Sequence, residues 1–120
     1  MDMFVHFDFA ASRYLPRLPA SHPCSRMHGH TFQVRLVLRG QVDRRSGWMV
    51  DFGDVELRVG AVRALLDHRS LNDITGLENP TTEIIAEWLW ERFAADVPGL
   101  YEITVQEHPT RGVIYYGPER

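Results

Sequence analysis

At 120 residues the chain is long enough for one domain with a real core and too short for two, and its 44% apolar and 24% charged residues are ordinary for a soluble fold. A net charge of −3 without a basic block argues against non-specific nucleic-acid binding. No run approaches the ~20 apolar residues that span a bilayer, and the N-terminus carries no signal-peptide pattern. All thirteen basic residues are arginine, so Schiff-base chemistry through a lysine is excluded, and an anionic ligand falls to arginine or backbone N–H groups. The single cysteine cannot form an intramolecular disulfide, and a reducing cytoplasmic setting is the expectation.

Met3 to Ala11 alternates, with Val5, Phe7 and Phe9 on one face and His6 and Asp8 on the other, and reads as a first strand. Ser12 to Met27 holds three prolines and no periodicity, so it reads as a long loop, which in a small domain is usually functional. It delivers Cys24 to a second strand expected from His28 to about Val42, with Phe32, Val34, Leu36 and Leu38 on its apolar face. After a turn at Asp43–Gly47, Trp48 to Val50 is expected as a short returning strand. Asp54 suits the cap of a first helix with Val55, Val59, Val62 and Leu66 as its stripe, ending near Asp67-His68. Arg69 to Asn79 reads as a loop anchored by Leu71 and Leu77. Asn79-Pro80-Thr81-Thr82-Glu83 opens a second helix that buries Ile85, Trp88, Leu89 and Phe93. Beyond Pro98-Gly99, Tyr101, Ile103, Val105 and Glu107 share one face of a third long strand, and Val113 to Tyr116 is the last. The order predicts an α+β layer, a four-stranded antiparallel sheet with two helices on one face.

His28-Gly29-His30 opens the second strand. On a strand, residues i and i+2 share a face, so the two imidazoles stand side by side within reach of one metal ion. Cys24 precedes them by four residues. Asp67-His68 stands at a helix-to-loop boundary, where the carboxylate can orient the imidazole in a proton relay. Glu107 ends an apolar row; it is either the partner of an arginine or an acceptor for two neighbouring N–H donors of a ligand.

Taken together, Phe7-x-Phe9, Pro23-Cys24-x-x-x-His28-Gly29-His30-x-Phe32, Val50-Asp51-Phe52, Leu66-Asp67-His68-x-x-Leu71-Asn72, Asn79-Pro80-Thr81-x-Glu83 and Val105-x-Glu107 resemble the 6-pyruvoyltetrahydropterin synthase superfamily. The Cys-x-x-x-His-Gly-His spacing and the Asn-Pro-Thr segment lean to its bacterial branch, the 6-carboxytetrahydropterin synthases of queuosine biosynthesis. The resemblance covers nearly the whole chain. It implies a tunnelling fold, whose subunits close a barrel as trimers, two of which stack into a hexamer with sites at subunit interfaces. It also implies 7,8-dihydroneopterin triphosphate as substrate, with 6-carboxytetrahydropterin, acetaldehyde and triphosphate as products, and a zinc ion acting as Lewis acid. Carried over by position, His28 and His30 are zinc ligands and Cys24 is the proton-abstracting base. Asp67 and His68 form the second proton-transfer group. Glu107 accepts the pterin ring N–H and 2-amino group, and Thr81, Thr82 and Glu83 line the pocket.

One position departs from this pattern. The family takes a third zinc histidine from the end of the first strand, and here Arg13 stands in its place. A guanidinium has no lone pair to offer a metal, and beside two imidazoles it repels a dication. Three outcomes follow from the sequence: His22, or less readily His6, supplies the third ligand; Arg13 replaces the metal and donates to the substrate oxygens; or the lyase activity is lost and a pterin-binding pocket remains.

Overall fold

The computed structural model describes residues 1–118. The alternating N-terminal segment forms β1 (Asp2–Arg13), and the segment after the loop forms β2 (His28–Arg39). They pair antiparallel in one register, from Asp2 opposite Arg39 to Arg13 opposite His28. Because this register is unbroken, Phe9 and Phe32 meet face to face, with ring centroids 4.8 Å apart. The helix α1 (Phe52–Leu66) buries the four-residue stripe read from the sequence. Two more strands, β4 (Leu100–His108) and β5 (Arg111–Tyr115), follow the second helix, α2 (Thr82–Ala94). Alternate residues of β1, β2 and β4 join both helices in one core, so both helices cover the same face of the sheet. Phe9, Phe32 and Phe93 are fully buried there, each side chain contributing roughly 1.5–3 kcal/mol by leaving water.

The sheet is five-stranded and mixed rather than four-stranded and antiparallel, in the order β3 (Arg69–Ser70), β1, β2, β4, β5. The added strand, β3, runs parallel to β1 through pairings with Ala11 and Ser12. Two residues carry no periodicity, which is why the segment reads as loop. The strand expected at Trp48–Val50 does not form. The Asp43 N–H donates to the Trp48 carbonyl, which closes a small loop and leaves Met49 and Val50 against the edge of the core. β2 stops at Arg39, whose N–H is taken by the Gly99 carbonyl. Gly99 sits at φ +72°, and a Cβ there would lie 2.5 Å from the Arg39 oxygen, so the entry to β4 requires glycine. The cap of α1 is Asp51, not Asp54: its carboxylate accepts from the Gly53 N–H at 2.9 Å. Thr81 caps α2 by accepting from the Ile84 N–H, so Pro80 lies just outside the helix.

Candidate functional site

His28 and His30 stand on the helix-covered face of β2, opposite Arg13 and Ala11. Their rings are 4.8 Å apart and nearly perpendicular. The His28 Nδ1–H donates to the Arg26 carbonyl at 2.7 Å, which leaves the lone pair on Nε2. That Nε2 is shielded from solvent and has no hydrogen-bond partner. Burial lowers the His30 pKa, and the charge of Arg13 adds to the effect, so His30 favours its neutral form.

Arg13 shares this face and is only 3% exposed. Its side chain lies across β2, with the guanidinium carbon 5.1 Å from the centre of the Phe32 ring. On the far side Nη2 forms an ion pair with Glu107 of β4. Nη1 donates to the Pro80 carbonyl at 2.9 Å and to the Thr82 hydroxyl at 3.3 Å. Thr82 in turn donates to Glu107 Oε2 at 3.0 Å. Of the two readings of Glu107, the structure shows the arginine partner. The carboxylate ends an apolar row because a cation reaches it through the core.

This arrangement decides whether the residues fit zinc. A catalytic zinc normally keeps three protein ligands. The His28 lone pair and the adjacent His30 supply two. Among the described residues no group of three His, Cys, Asp or Glu side chains is placed to share a metal ion. His22 instead caps the short turn at Cys24, accepting from its N–H at 3.1 Å. His6 pairs opposite Arg35 on the other face of the sheet. The residues present do not fit a three-ligand zinc site.

Asp67 and His68 are fixed by a different route. Asp67 ends α1, and His68 takes the position after it with φ +59°, a left-handed conformation usually given to glycine there. The turn feeds the chain into β3. The His68 N–H donates to the Ala10 carbonyl, and the Ala10 N–H donates to Asp67 Oδ1, so both residues are tied to β1. The His68 Nδ1–H donates to Asp67 Oδ2 at 2.8 Å. His68 and His30 line one cavity of about 540 Å³, together with Ser12 and Ser70.

The hydrogen bond from Ala10 and that from His68 hold the Asp67 carboxyl below its usual range. A depressed carboxyl adds stability above its unfolded value of about 3.9, and that contribution is lost as pH falls through the folded value. Urea unfolding of the wild type is therefore expected to lose stability below about pH 4 more steeply than unfolding of Asp67→Asn. Equal slopes would show that the carboxylate is not held as described.

Cys24 is half-buried in its three-residue turn, and its carbonyl accepts from the Leu15 N–H at 2.7 Å, which ties the loop to the end of β1. Cys24 and Glu83 both lie near enough to act on the Arg13 guanidinium electrostatically. Thr81 is occupied as a helix cap, whereas Thr82 joins the Arg13–Glu107 cluster. Two participants were not singled out from the sequence. The Pro80 carbonyl is one, and a backbone acceptor leaves no residue signal. The other is Asn72, which exchanges two hydrogen bonds with the backbone of Tyr14 and so clamps the residue after Arg13. Its position beside Leu71 in the ordered motif set was the available clue.

A family profile described as 6-pyruvoyl tetrahydropterin synthase matches residues 2–118. The 6-carboxy-5,6,7,8-tetrahydropterin synthase of a Synechocystis species is 34% identical over 97% of this chain and 93% of its own. The dihydroneopterin monophosphate aldolase of Pyrococcus furiosus is 42% identical over a shorter stretch, 61% of this chain and 60% of its own. Among solved structures, the 6-pyruvoyl tetrahydropterin synthase of Caenorhabditis elegans superposes with a TM-score of 0.90 at 25% identity, over 98% of this chain and 96% of that one. The profile spans nearly all the described residues, and the chain belongs to the 6-pyruvoyl tetrahydropterin synthase family.

Proposed function

We propose that the chain is a carbon–carbon lyase of the 6-carboxytetrahydropterin synthase type. It converts 7,8-dihydroneopterin triphosphate to 6-carboxytetrahydropterin, acetaldehyde and triphosphate, in the cytoplasm, on the route to queuosine and related 7-deazapurines. The observation that carries this reading is the Asp67–His68 pair. It is anchored on both sides to Ala10, holds His68 in a left-handed backbone and opens onto the cavity that His30 lines. A strained residue that the surrounding structure over-determines is characteristic of a working site. The 34% identity to the Synechocystis synthase supports the choice of branch.

In this reading the Cys24 thiolate abstracts a proton from the substrate side chain. His68, oriented by Asp67, moves a proton on the other side. Glu107 anchors the pterin ring, and Thr81, Thr82 and Glu83 border it at the start of α2. Zinc has two imidazoles, His28 and His30, and no third ligand among the described residues, so any zinc taken up is held loosely. The outer edge of β1 is paired by β3 only at Ala11 and Ser12, and β5 forms the other edge. Closure of these edges between subunits, as trimers and then a hexamer, removes them from solvent.

The test is Cys24→Ala. Acetaldehyde release from the pterin triphosphate is expected to fall by about 10²–10⁴-fold, the usual contribution of a positioned base. Pteridine affinity, followed by fluorescence, is expected to stay within about threefold, because the thiol acts in the proton transfer and not as a main anchor. A wild type that binds pteridine and releases no acetaldehyde would establish a second reading, a non-catalytic pterin-binding oligomer. Arg13 at the position opposite His28 favours that reading, because it leaves two imidazoles where a catalytic zinc keeps three ligands.

A further inference from the structure

The Glu107 carboxylate has two unlike sides. Both of its protein contacts, the guanidinium of Arg13 and the hydroxyl of Thr82, fall on Oε2. A carboxylate oxygen accepts along two lone-pair directions, so Oε2 is filled. Oε1 has no hydrogen-bond partner among the described residues, and the side chain keeps 20% of its surface exposed. Arg13, by contrast, is sealed from solvent beneath the same cluster.

We infer that Arg13 is a specificity-determining residue: by filling Oε2 from inside the protein, it leaves a ligand only Oε1, so two parallel N–H donors cannot each meet an oxygen of their own. This rests on the pterin reading above and deepens it. A free carboxylate grips two neighbouring N–H donors in parallel, and it repels a ligand that replaces one donor with a carbonyl. With Oε2 filled, the second donor has no oxygen in line with it. A carbonyl in its place meets an oxygen already neutralised by a guanidinium, so the repulsion is reduced. The pocket therefore accepts a bicyclic lactam through a single N–H and is indifferent to the group beside it. The ligand class widens from 2-amino-4-oxopteridines to include 2,4-dioxopteridines.

The experiment compares binding of 2-amino-4-oxopteridine and 2,4-dioxopteridine to the wild type and to Arg13→Met, with folding of the variant checked by circular dichroism. The wild type is expected to bind both within about threefold, and the variant, its Oε2 open, to prefer the amino compound by about tenfold or more. A wild type that already prefers the amino compound tenfold overturns the inference, as does a variant that shows no preference. A second measurement needs no ligand: the guanidinium N–H signals of Arg13 in nitrogen-resolved NMR. Held by Glu107, they are expected to be separate and slowly exchanging in the wild type and to merge in Glu107→Gln. If neither pteridine binds either protein, the pterin reading fails. The NMR comparison then decides alone: signals that depend on Glu107 support the filled carboxylate, and signals that ignore it overturn the inference.

Discussion

Glu107→Ala is expected to destabilise the folded chain by about 3–5 kcal/mol, the usual cost of removing one partner from a buried ion pair. The physical reason is what remains. Arg13 is 3% exposed and cannot shed its proton, so its direct contacts would be reduced to the Pro80 carbonyl, the Thr82 hydroxyl and the face of Phe32. The cation over the Phe32 ring is worth about 2 kcal/mol, and that contact is already made in the wild type. In a chain of this size the loss corresponds to a fall in melting temperature of roughly 10–20 °C. Arg13→Met combined with Glu107→Ala is expected to recover much of it, because the double variant leaves no unpaired charge. Chemical and thermal unfolding of the three variants closes the cycle. A loss below about 1 kcal/mol in Glu107→Ala would mean that the pair behaves as an exposed one.

Arg13→His is expected to change the metal content outright. The wild type, dialysed after exposure to zinc, should retain well below one ion per chain, because two imidazoles beside a guanidinium do not make a site. In the variant a third imidazole replaces the repelling cation on the strand position opposite His28. Elemental analysis is then expected to approach one zinc per chain. Zinc at about 100 times its dissociation constant should also stabilise the variant by about 2.7 kcal/mol, through binding to the folded state alone. One firmly held zinc in the wild type would show that a ligand outside this group completes the site, and the argument from Arg13 would fall.

Much of this molecule was legible in its sequence because two periodicities are clean. The period of two placed β1, β2 and β4 with the correct inward faces, and the stripe of Val55, Val59, Val62 and Leu66 placed α1. What escaped lacks a period. β3 is two residues long, and its strand character comes from Ala11 and Ser12 alongside it. Trp48 to Val50 has the composition of a strand and no neighbour to pair with. Asp51 and Asp54 are equally good caps by composition, and the Gly53 N–H selects the first. In the site, Glu107 was identifiable as a carboxylate out of place. Which of thirteen arginines it met was not, because that depends on a side chain long enough to cross a neighbouring strand over Phe32. Arg13 was legible as an absence of histidine and illegible as a counter-ion.

The distance along the chain between the partners of Arg13 bears on synthesis. The nearest hydrogen-bonding partner of its side chain in sequence, Pro80, lies 67 residues downstream, and Glu107 lies further still. Domains begin to organise while the chain is being made, from the N-terminus onward. A nascent chain that already contains β1 and β2 can stack Phe9 on Phe32, but it holds a cation at the end of that apolar face with no anion to meet it. Burying it alone is prohibitive. In such a chain the guanidinium stays in solvent, and its buried ion pair can form only once Glu107 has left the ribosome. The cluster of Arg13, Pro80, Thr82 and Glu107 therefore closes only when nearly the whole chain is available.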